Sequence, residues 1–311
     1  MQGNGFSNLN ERGGIKVNYY LCLDIGGTAI KYGVIDDSGV FMETDIIDTE
    51  ASKGGNWVRQ KVLSLVKKMQ QCYEFRGVCI STAGMVNPES GEIFYASDTI
   101  PNYAGINLKK DIETYCGIPC EIENDVNCAG LAESISGAAK GAKSVFCLTV
   151  GTGIGGCFVL DGVVYRGNTG SACEIGYMMN GSISFQDEGS MKKLVDNIRL
   201  KKGNLNLDWT GEKVFEYARE GDPNCIEAIQ KMIDVLGRGI ANVCYVLNPQ
   251  VIVLGGGITG QGRWLEEEIR EKIKKYLLPI IFDNTQFKFA LYKNEAGMIG
   301  AWYNFINLQN K

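Results

Sequence analysis

Three acids and three glycine clusters are the residues of this chain whose types and spacing point to chemistry. In "EIENDVNCAGLAE", Asn124 and Asp125 end an apolar-flanked segment and precede a helical pattern through Ala129, Leu131 and Ala132. A carboxylate placed there can take a proton from a hydroxyl, with the Asn124 amide as a hydrogen-bonding neighbour. Asn and Asp are also the preferred residues of a helix start, where they accept from free N–H groups. On these residues alone both readings stand. Asp24 ends the apolar run "LCLD" just before Gly26, Gly27 and Thr28, and Glu174 lies in "GSACEIGY", without a basic neighbour in sequence and followed by Tyr177.

Glycine turns let backbone N–H groups converge on an anion because no Cβ blocks the approach, and a nearby hydroxyl adds a donor. Gly26, Gly27 and Thr28 form one such turn, and Gly151, Thr152 and Gly153, with Gly155 and Gly156, form a second. A third cluster, Gly255, Gly256 and Gly257, ends the apolar run "VIVL". One glycine hairpin usually only turns the chain, but three clusters at the ends of apolar strands point to phosphate. The Walker pattern is absent, and "GTGIGG" is followed by "CFVL", which reads as a strand rather than the helix of a dinucleotide site. Beside phosphates Asp24 can hold Mg²⁺ through water; it can equally cap a turn. Lys31 can neutralise phosphate, or face outward on an alternating strand. Glycine loops, a cation and a base near an attacking hydroxyl are the parts that phosphoryl transfer needs.

These residues are carried by a repeat. "LCLDIGGTAIKYGVIDDSG" and "FCLTVGTGIGGCFVLDG" match at an offset of 125 residues, each reading strand, glycine turn, strand, Asp-containing turn, with third strands expected at 40–47 and 163–165. Such a repeat implies two lobes of related topology with a ligand cleft between them. Asn56 is expected to cap a helix whose apolar stripe is Val58, Val62, Leu65, Val66 and Met69. Residues 225–247 read as a long apolar helix, and a helix rich in Glu and Lys is expected from Trp264. The segment from Gly170 to Val195, by contrast, shows no obvious periodicity beyond Tyr177.

The 311 residues exceed the size at which one core usually keeps growing. The expected division is a leader over 1–18, a small α/β lobe over 19–125 joined by a returning helix over 297–311, and a larger lobe over 126–296. A net charge of −5 with 22% charged residues does not suggest a nucleic-acid binder, and the apolar runs are too short to span a bilayer. Eleven cysteines, many inside apolar runs such as Cys22, Cys79, Cys147, Cys157 and Cys244, read as small core residues in a reducing cytoplasm. With no histidine and no CxxC pair, a zinc site has little to be made from.

Taken together, "DIGGTAIKYGV", "STAGMVNPESG", "IENDVNCAGLAE", "LTVGTGIGG", "EIGYM" and "LNPQVIVLGGGI" occur in the order seen in the ROK family of sugar kinases and regulators, which this chain resembles from about Leu21 onward. The resemblance implies the two-lobed actin-like fold of sugar kinases, Hsp70 and actin, ribonuclease H-like in each lobe, with ATP and sugar in the interlobe cleft. It also implies a homodimer and phosphorylation of a hexose hydroxymethyl group with ATP and Mg²⁺. Carried over by motif, Gly26, Gly27, Thr28, Gly151, Thr152 and Gly153 meet the ATP phosphates, and Gly255, Gly256 and Gly257 approach the adenosine. Asp125 becomes the base, and Gly84, Asn102, Asn124 and Glu174 line the sugar.

The departures bear on substrate. Most ROK proteins have histidine at the position of Tyr177, then a zinc motif, CxCGxxGCxE, whose final glutamate touches the sugar. Here Ile183, Phe185 and Ser190 stand at the cysteines and Lys192 at the glutamate, so no structural zinc is expected. A pocket without that histidine and glutamate is open at the anomeric end. In this the chain resembles the β-glucoside kinase branch, with glucokinase, N-acetylmannosamine kinase or another hexose kinase as alternatives. The roughly eighteen polar residues before the first strand are too few for the DNA-binding domain of a ROK regulator.

Overall fold

The structure is a computed structural model and describes residues 11–12, 15–203 and 208–309. The leader expected over 1–18 lies mostly outside the described residues; within it, Glu11–Arg12 and Ile15–Lys16 pair as an antiparallel ribbon. The chain divides into two compact units, one of Met1–Cys128 with Glu295–Lys311 and one of Ala129–Asn294.

The repeat in the glycines is a repeat of sheets. The first unit contains β1 (Tyr19–Ile25), β2 (Ala29–Asp36), β3 (Phe41–Asp48), α1 (Gly55–Met69), β4 (Phe75–Thr82), α2 (Leu108–Cys116) and β5 (Cys120–Asn124), after which α3 (Asp125–Ile135) begins. Its sheet runs β3-β2-β1-β4-β5, with β1 to β3 antiparallel and β4 and β5 parallel to β1. The second unit contains β6 (Ser144–Val150), β7 (Ile154–Leu160), β8 (Val163–Val164), α4 (Phe185–Gly189), α5 (Met191–Lys202), α6 (Gly211–Arg219), α7 (Pro223–Leu247), β9 (Val251–Gly255), α8 (Arg263–Tyr276) and β10 (Gln286–Phe289). Its order, β8-β7-β6-β9-β10, repeats that of the first sheet strand for strand.

Each central strand is apolar on both sides because both faces of the sheet are covered. In β1, Tyr19, Leu21, Leu23 and Ile25 join the core beneath α1 and α2, while Tyr20 and Cys22 face Met298, Trp302 and Phe305 of the C-terminal helix, Ala296–Gln309. Gly77 of β4 admits that helix, since a Cβ there would collide with the Phe305 ring. Cys22, Cys79, Cys147, Cys157 and Cys244 are buried free thiols, and burial pushes the Cys147 thiol up to about 12. Among the described residues no helix is long and apolar enough to cross a membrane.

The apolar stripe expected of α1 is buried, but Asn56 does not cap it. The cap residue is Gly54, and Asn56 lies inside the first turn. A tertiary contact sets this start: Gly55 N–H donates to Pro101 O (2.8 Å), and a Cβ on Gly55 would strike the Asn102 carbonyl. Side-chain capping does set the start of α7, where Asp222 accepts from Asn224 N–H (3.0 Å) and Cys225 N–H (3.1 Å) and Pro223 occupies the first turn.

Candidate functional site

The first unit gathers its candidate residues at the C-terminal ends of its parallel strands, the end at which open α/β sheets bind ligands. Asp24, Ser81 and Glu123 share one row of the sheet, and Ile25, Thr82 and Asn124 the next. Asp24 Oδ1 accepts from Ser81 Oγ (2.7 Å), and Oδ2 lies 3.5 Å from Nζ of Lys31, its register partner on β2. The backbone at Gly297, in the first turn of the C-terminal helix, packs so closely on Asp24 that a Cβ would come within 2.5 Å of Oδ1. A single carboxylate already engaged by a hydroxyl and an ammonium suits a cation that keeps its water shell, and so fits Mg²⁺ held through water.

The turn that follows is fastened by the protein itself. Gly26 N–H donates to Ala29 O (3.0 Å), Thr49 N–H to Thr28 O (2.9 Å) and Thr49 Oγ1 to Gly26 O (2.6 Å). Gly27 lies against Thr99, whose methyl group occupies the place a Cβ would take.

The two readings of "ND" separate in space. Asn124 is the cap: its Oδ1 accepts from Val126 N–H (2.9 Å) and Asn127 N–H (3.1 Å). Asp125 is the first residue of α3, half-buried, with Oδ1 accepting from Asn124 Nδ2 (2.9 Å) and Val126 N–H (2.9 Å). Asn124 Nδ2 also donates to Gly84 O (2.9 Å), so Gly84, Asn124 and Asp125 form one cluster. Gly84 has φ +100° and a Cβ there would meet the Tyr95 carbonyl at 2.7 Å, a position for glycine alone. Asn102 is exposed at φ 55°, and the loop bearing it is anchored by Tyr103, whose buried hydroxyl hydrogen-bonds Thr82 Oγ1 (2.9 Å) beside Asn124 in the sheet.

In the second unit Glu174 precedes a short 3₁₀ turn, Ile175–Tyr177, and its carbonyl accepts from Tyr177 N–H (3.2 Å), which places both candidates on one turn. Two glycines clamp that turn to β7. A Cβ on Gly156 would meet the Cys173 carbonyl at 2.6 Å, and one on Gly176 would strike the Ile154 carbonyl. Gly155 and Gly156 are thus strand residues rather than part of the anion turn, and Gly156 admits the turn that carries Glu174. Burial raises the Glu174 carboxyl above the usual glutamate range.

The second glycine turn faces open space. Gly151 and Thr152 line a cavity of about 460 Å³ together with Gly257 of the third cluster, residues of α5 and α6, and Gln261. Among the described residues no atom beyond the chain neighbours lies within 4 Å of a Cβ built on Gly151 or Gly257. The other glycines of these clusters pack against protein: Gly153 against Gln186 Oε1, Gly255 as the last residue of β9, and Gly256, at φ +84°, against the Val150 backbone. Of the α5 and α6 residues only Lys192 was singled out, by its alignment with a sugar-touching glutamate; Asp196, Arg199 and Glu212 carry no motif and were not legible as site residues. The cap Ser190 and the spacing of Leu194, Val195 and Ile198 were the available sign of α5.

The segment expected to lack periodicity is therefore ordered. Residues 179–180 and 183–184 pair as two short strands, and Ser184 and Ser190 cap α4 and α5 by accepting from Asp187 N–H (3.3 Å) and Lys193 N–H (3.2 Å). At the positions aligned with zinc ligands, Phe185 is 2% exposed with its ring against Gly239 of α7, Ser190 is buried and Ile183 is exposed. An aromatic anchor and a cap brace this segment. Lys192 lines the cavity, ion-paired with Asp196 (2.9 Å). Among the described residues no group of three or more His, Cys, Asp or Glu side chains is arranged to hold a metal ion.

Comparison with known proteins identifies the class. The pattern of the ROK family matches residues 20–307, and the chain belongs to that family. It is 46% identical to an uncharacterised protein of Clostridium perfringens, over 94% of this chain and 99% of that one. It is 31% identical to a β-glucoside kinase of Listeria innocua, over 93% and 97%. A ROK family protein of Streptococcus pneumoniae solved in complex with sucrose superposes with a TM-score of 0.82 at 26% identity, over 94% of this chain and 99% of that one. The fold is the two-lobed actin-like α/β fold of ROK sugar kinases.

Proposed function

We propose that the protein is an ATP-dependent carbohydrate kinase that transfers the γ-phosphoryl group of ATP to the hydroxymethyl oxygen of the glucose unit of a β-glucoside. The observation that supports this most is the meeting of two separate glycine clusters, Gly151–Thr152 and Gly257, on one cavity within the size range of small-molecule sites. Asp125 is the general base: it takes the hydroxymethyl proton as that oxygen bonds to the γ-phosphorus and the bond to the bridging oxygen breaks, releasing ADP. The Asn124 cap relieves Asp125 of that structural duty, and the Asn124 amide and the Val126 N–H orient its carboxylate.

Sugar contacts are assigned to Gly84, Asn102 and Asn124 in the first unit and to Glu174 and Tyr177 in the second. N–H groups of Gly27, Thr28, Thr152 and Gly153 are assigned to the phosphates, with Lys31 poised by Asp24, and Gly257 to the adenosine; the N–H groups expected at Gly26 and Gly151 are instead spent within their own turns, on Ala29 O and Gly153 O (each 3.0 Å). Asp24 would hold Mg²⁺ through water, and the bound ion supplies charge neutralisation on the donor phosphates.

The β-glucoside part rests on Tyr177 and Lys192. Most ROK proteins grip the anomeric end of a free sugar with a histidine and a glutamate at these positions; here an exposed phenol and a lysine stand in their place. An ATP-coupled assay at equal concentrations of glucose, N-acetylmannosamine, fructose, cellobiose and an aryl β-glucoside tests this, with the last two expected to turn over fastest. Preference for a free monosaccharide would remove the β-glucoside assignment, and phosphorylation of none would remove the kinase reading.

A further inference from the structure

The cavity beside Gly151 has two chemically distinct walls. At the β6–β7 turn it is lined by Gly151, Thr152 and Lys192, next to the start of α5, where Met191 N–H donates to Gly151 O (3.0 Å). Its α5 wall runs from Met191 to Arg199, roughly 12 Å of helix. The facing wall is the first turn of α6, Thr210, Gly211 and Glu212, which is tied along α5 by Arg199 Nη2 donating to Trp209 O (3.1 Å) at one end and by Met191 Cε packed on Gly211 at the other.

Three of the four charged side chains on these walls are bound to one another: Asp196 accepts from Lys192 (2.9 Å) and lies 3.6 Å from Arg199. Glu212 is the fourth, and it has no hydrogen-bond or ion-pair partner among the described residues. Its neighbour Thr210 is occupied as the α6 cap, accepting from Lys213 N–H (3.3 Å). A lone carboxylate repels phosphate and attracts donors. On a nucleoside triphosphate the donors remote from the phosphates are the ribose hydroxyls and, in adenine, one exocyclic amine. The vicinal diol presents two donors to two carboxylate oxygens, whereas the amine is flanked by ring-nitrogen acceptors that a carboxylate opposes.

We propose that Glu212 reads the ribose of the phosphoryl donor, accepting hydrogen bonds from its 2′- and 3′-hydroxyls and thereby selecting ribonucleotides over deoxyribonucleotides. This rests on the kinase reading above and adds to it a donor-specificity residue.

The test is direct calorimetric binding of ATP, 2′-deoxy-ATP, 3′-deoxy-ATP and inosine triphosphate to the full-length wild type, Glu212→Gln and Glu212→Ala, with sugar-saturated kinetics alongside. The wild type is expected to bind each deoxy analogue about ten-fold more weakly than ATP. Glu212→Ala is expected to weaken ATP by a similar factor and to lose that discrimination, while its melting temperature and sugar KM stay at wild-type values. Glu212→Gln, which keeps one carbonyl acceptor, should fall between. Discrimination in Glu212→Ala equal to that of the wild type would overturn the assignment, as would a loss confined to the comparison of ATP with inosine triphosphate. Nucleotide binding without coupling to the hydroxyls removes only Glu212; binding of no nucleotide by any protein removes the kinase reading as well.

Discussion

The two glycine turns occupy equivalent places in equivalent sheets, yet the protein treats them differently. The β1–β2 turn is fastened from outside, by the two hydrogen bonds of Thr49 and by Thr99 against Gly27. The β6–β7 turn is hydrogen-bonded to the start of α5 and otherwise faces an open cavity at Gly151 and Thr152. One motif can therefore be braced by its neighbours in one half of the chain and left open to a cavity in the other. The difference lies in the neighbours: loosening the brace of the first turn should show first in stability, whereas filling the open face of the second should show, under the proposed function, in nucleotide affinity.

The largest expected effect lies between these turns in sequence, at Asp125. Asp125→Asn should lower turnover by about 10³-fold with nucleotide affinity and melting temperature kept, since the amide preserves the geometry and loses the base. Near-normal turnover would mean that Asp125 is not the base. Next comes Gly176→Ala, which drives a methyl into the Ile154 carbonyl and should cost about 3 kcal/mol in denaturant unfolding, with loss of sugar binding as Glu174 is displaced.

Two substitutions then bear on the comparison itself. Thr49→Val leaves the Gly26 carbonyl without its hydroxyl partner and should cost about 1–2 kcal/mol, with a smaller loss of nucleotide affinity in the folded protein than substitution at Gly151 brings. Gly151→Ala meets no atom of the described residues beyond its chain neighbours and should leave the melting temperature unchanged, while its methyl group, projecting into the proposed nucleotide cavity, should weaken nucleotide binding by about ten-fold. Reversed outcomes, with stability lost at Gly151 and affinity at Thr49, would refute the distinction.

The smallest effect is in pH dependence. Burial raises the Glu174 carboxyl above its ordinary 4.5, so the folded state holds this proton more tightly than the unfolded chain. The stability it contributes is complete below that ordinary value and is lost as pH rises through the raised one. Glu174→Gln should therefore gain stability relative to wild type as pH rises through this window, while losing sugar affinity. A stability difference that does not vary with pH would show that the carboxyl is not desolvated.

Much of this was legible locally. The apolar runs, their stops at Asp24 and Thr149, the glycines after them and the helical stripe of α1 follow from residue type and spacing, because strand and helix periods are local properties of the chain. So was the repeat, which the two sheets match strand for strand. Less legible were boundaries set by contact, as at Gly55, and the segment after Tyr177, where Phe185 finds its place only against Gly239, far away in sequence.

The sequence by itself determined which residue types stand at the strand ends and that they recur in two related halves. Only the tertiary structure decided what each does. It made Asn124 the cap and set Asp125 in the first turn of the helix, and it gave Gly156, Gly176 and Gly256 to close backbone packing while leaving Gly151 and Gly257 on a cavity. It also brought α5 and α6 to that cavity, making charged residues without a motif into its wall. The physical reason is that a glycine, or a charged side chain on a helix, takes its role from whatever approaches it, and that neighbour is fixed by the fold rather than by the adjoining sequence.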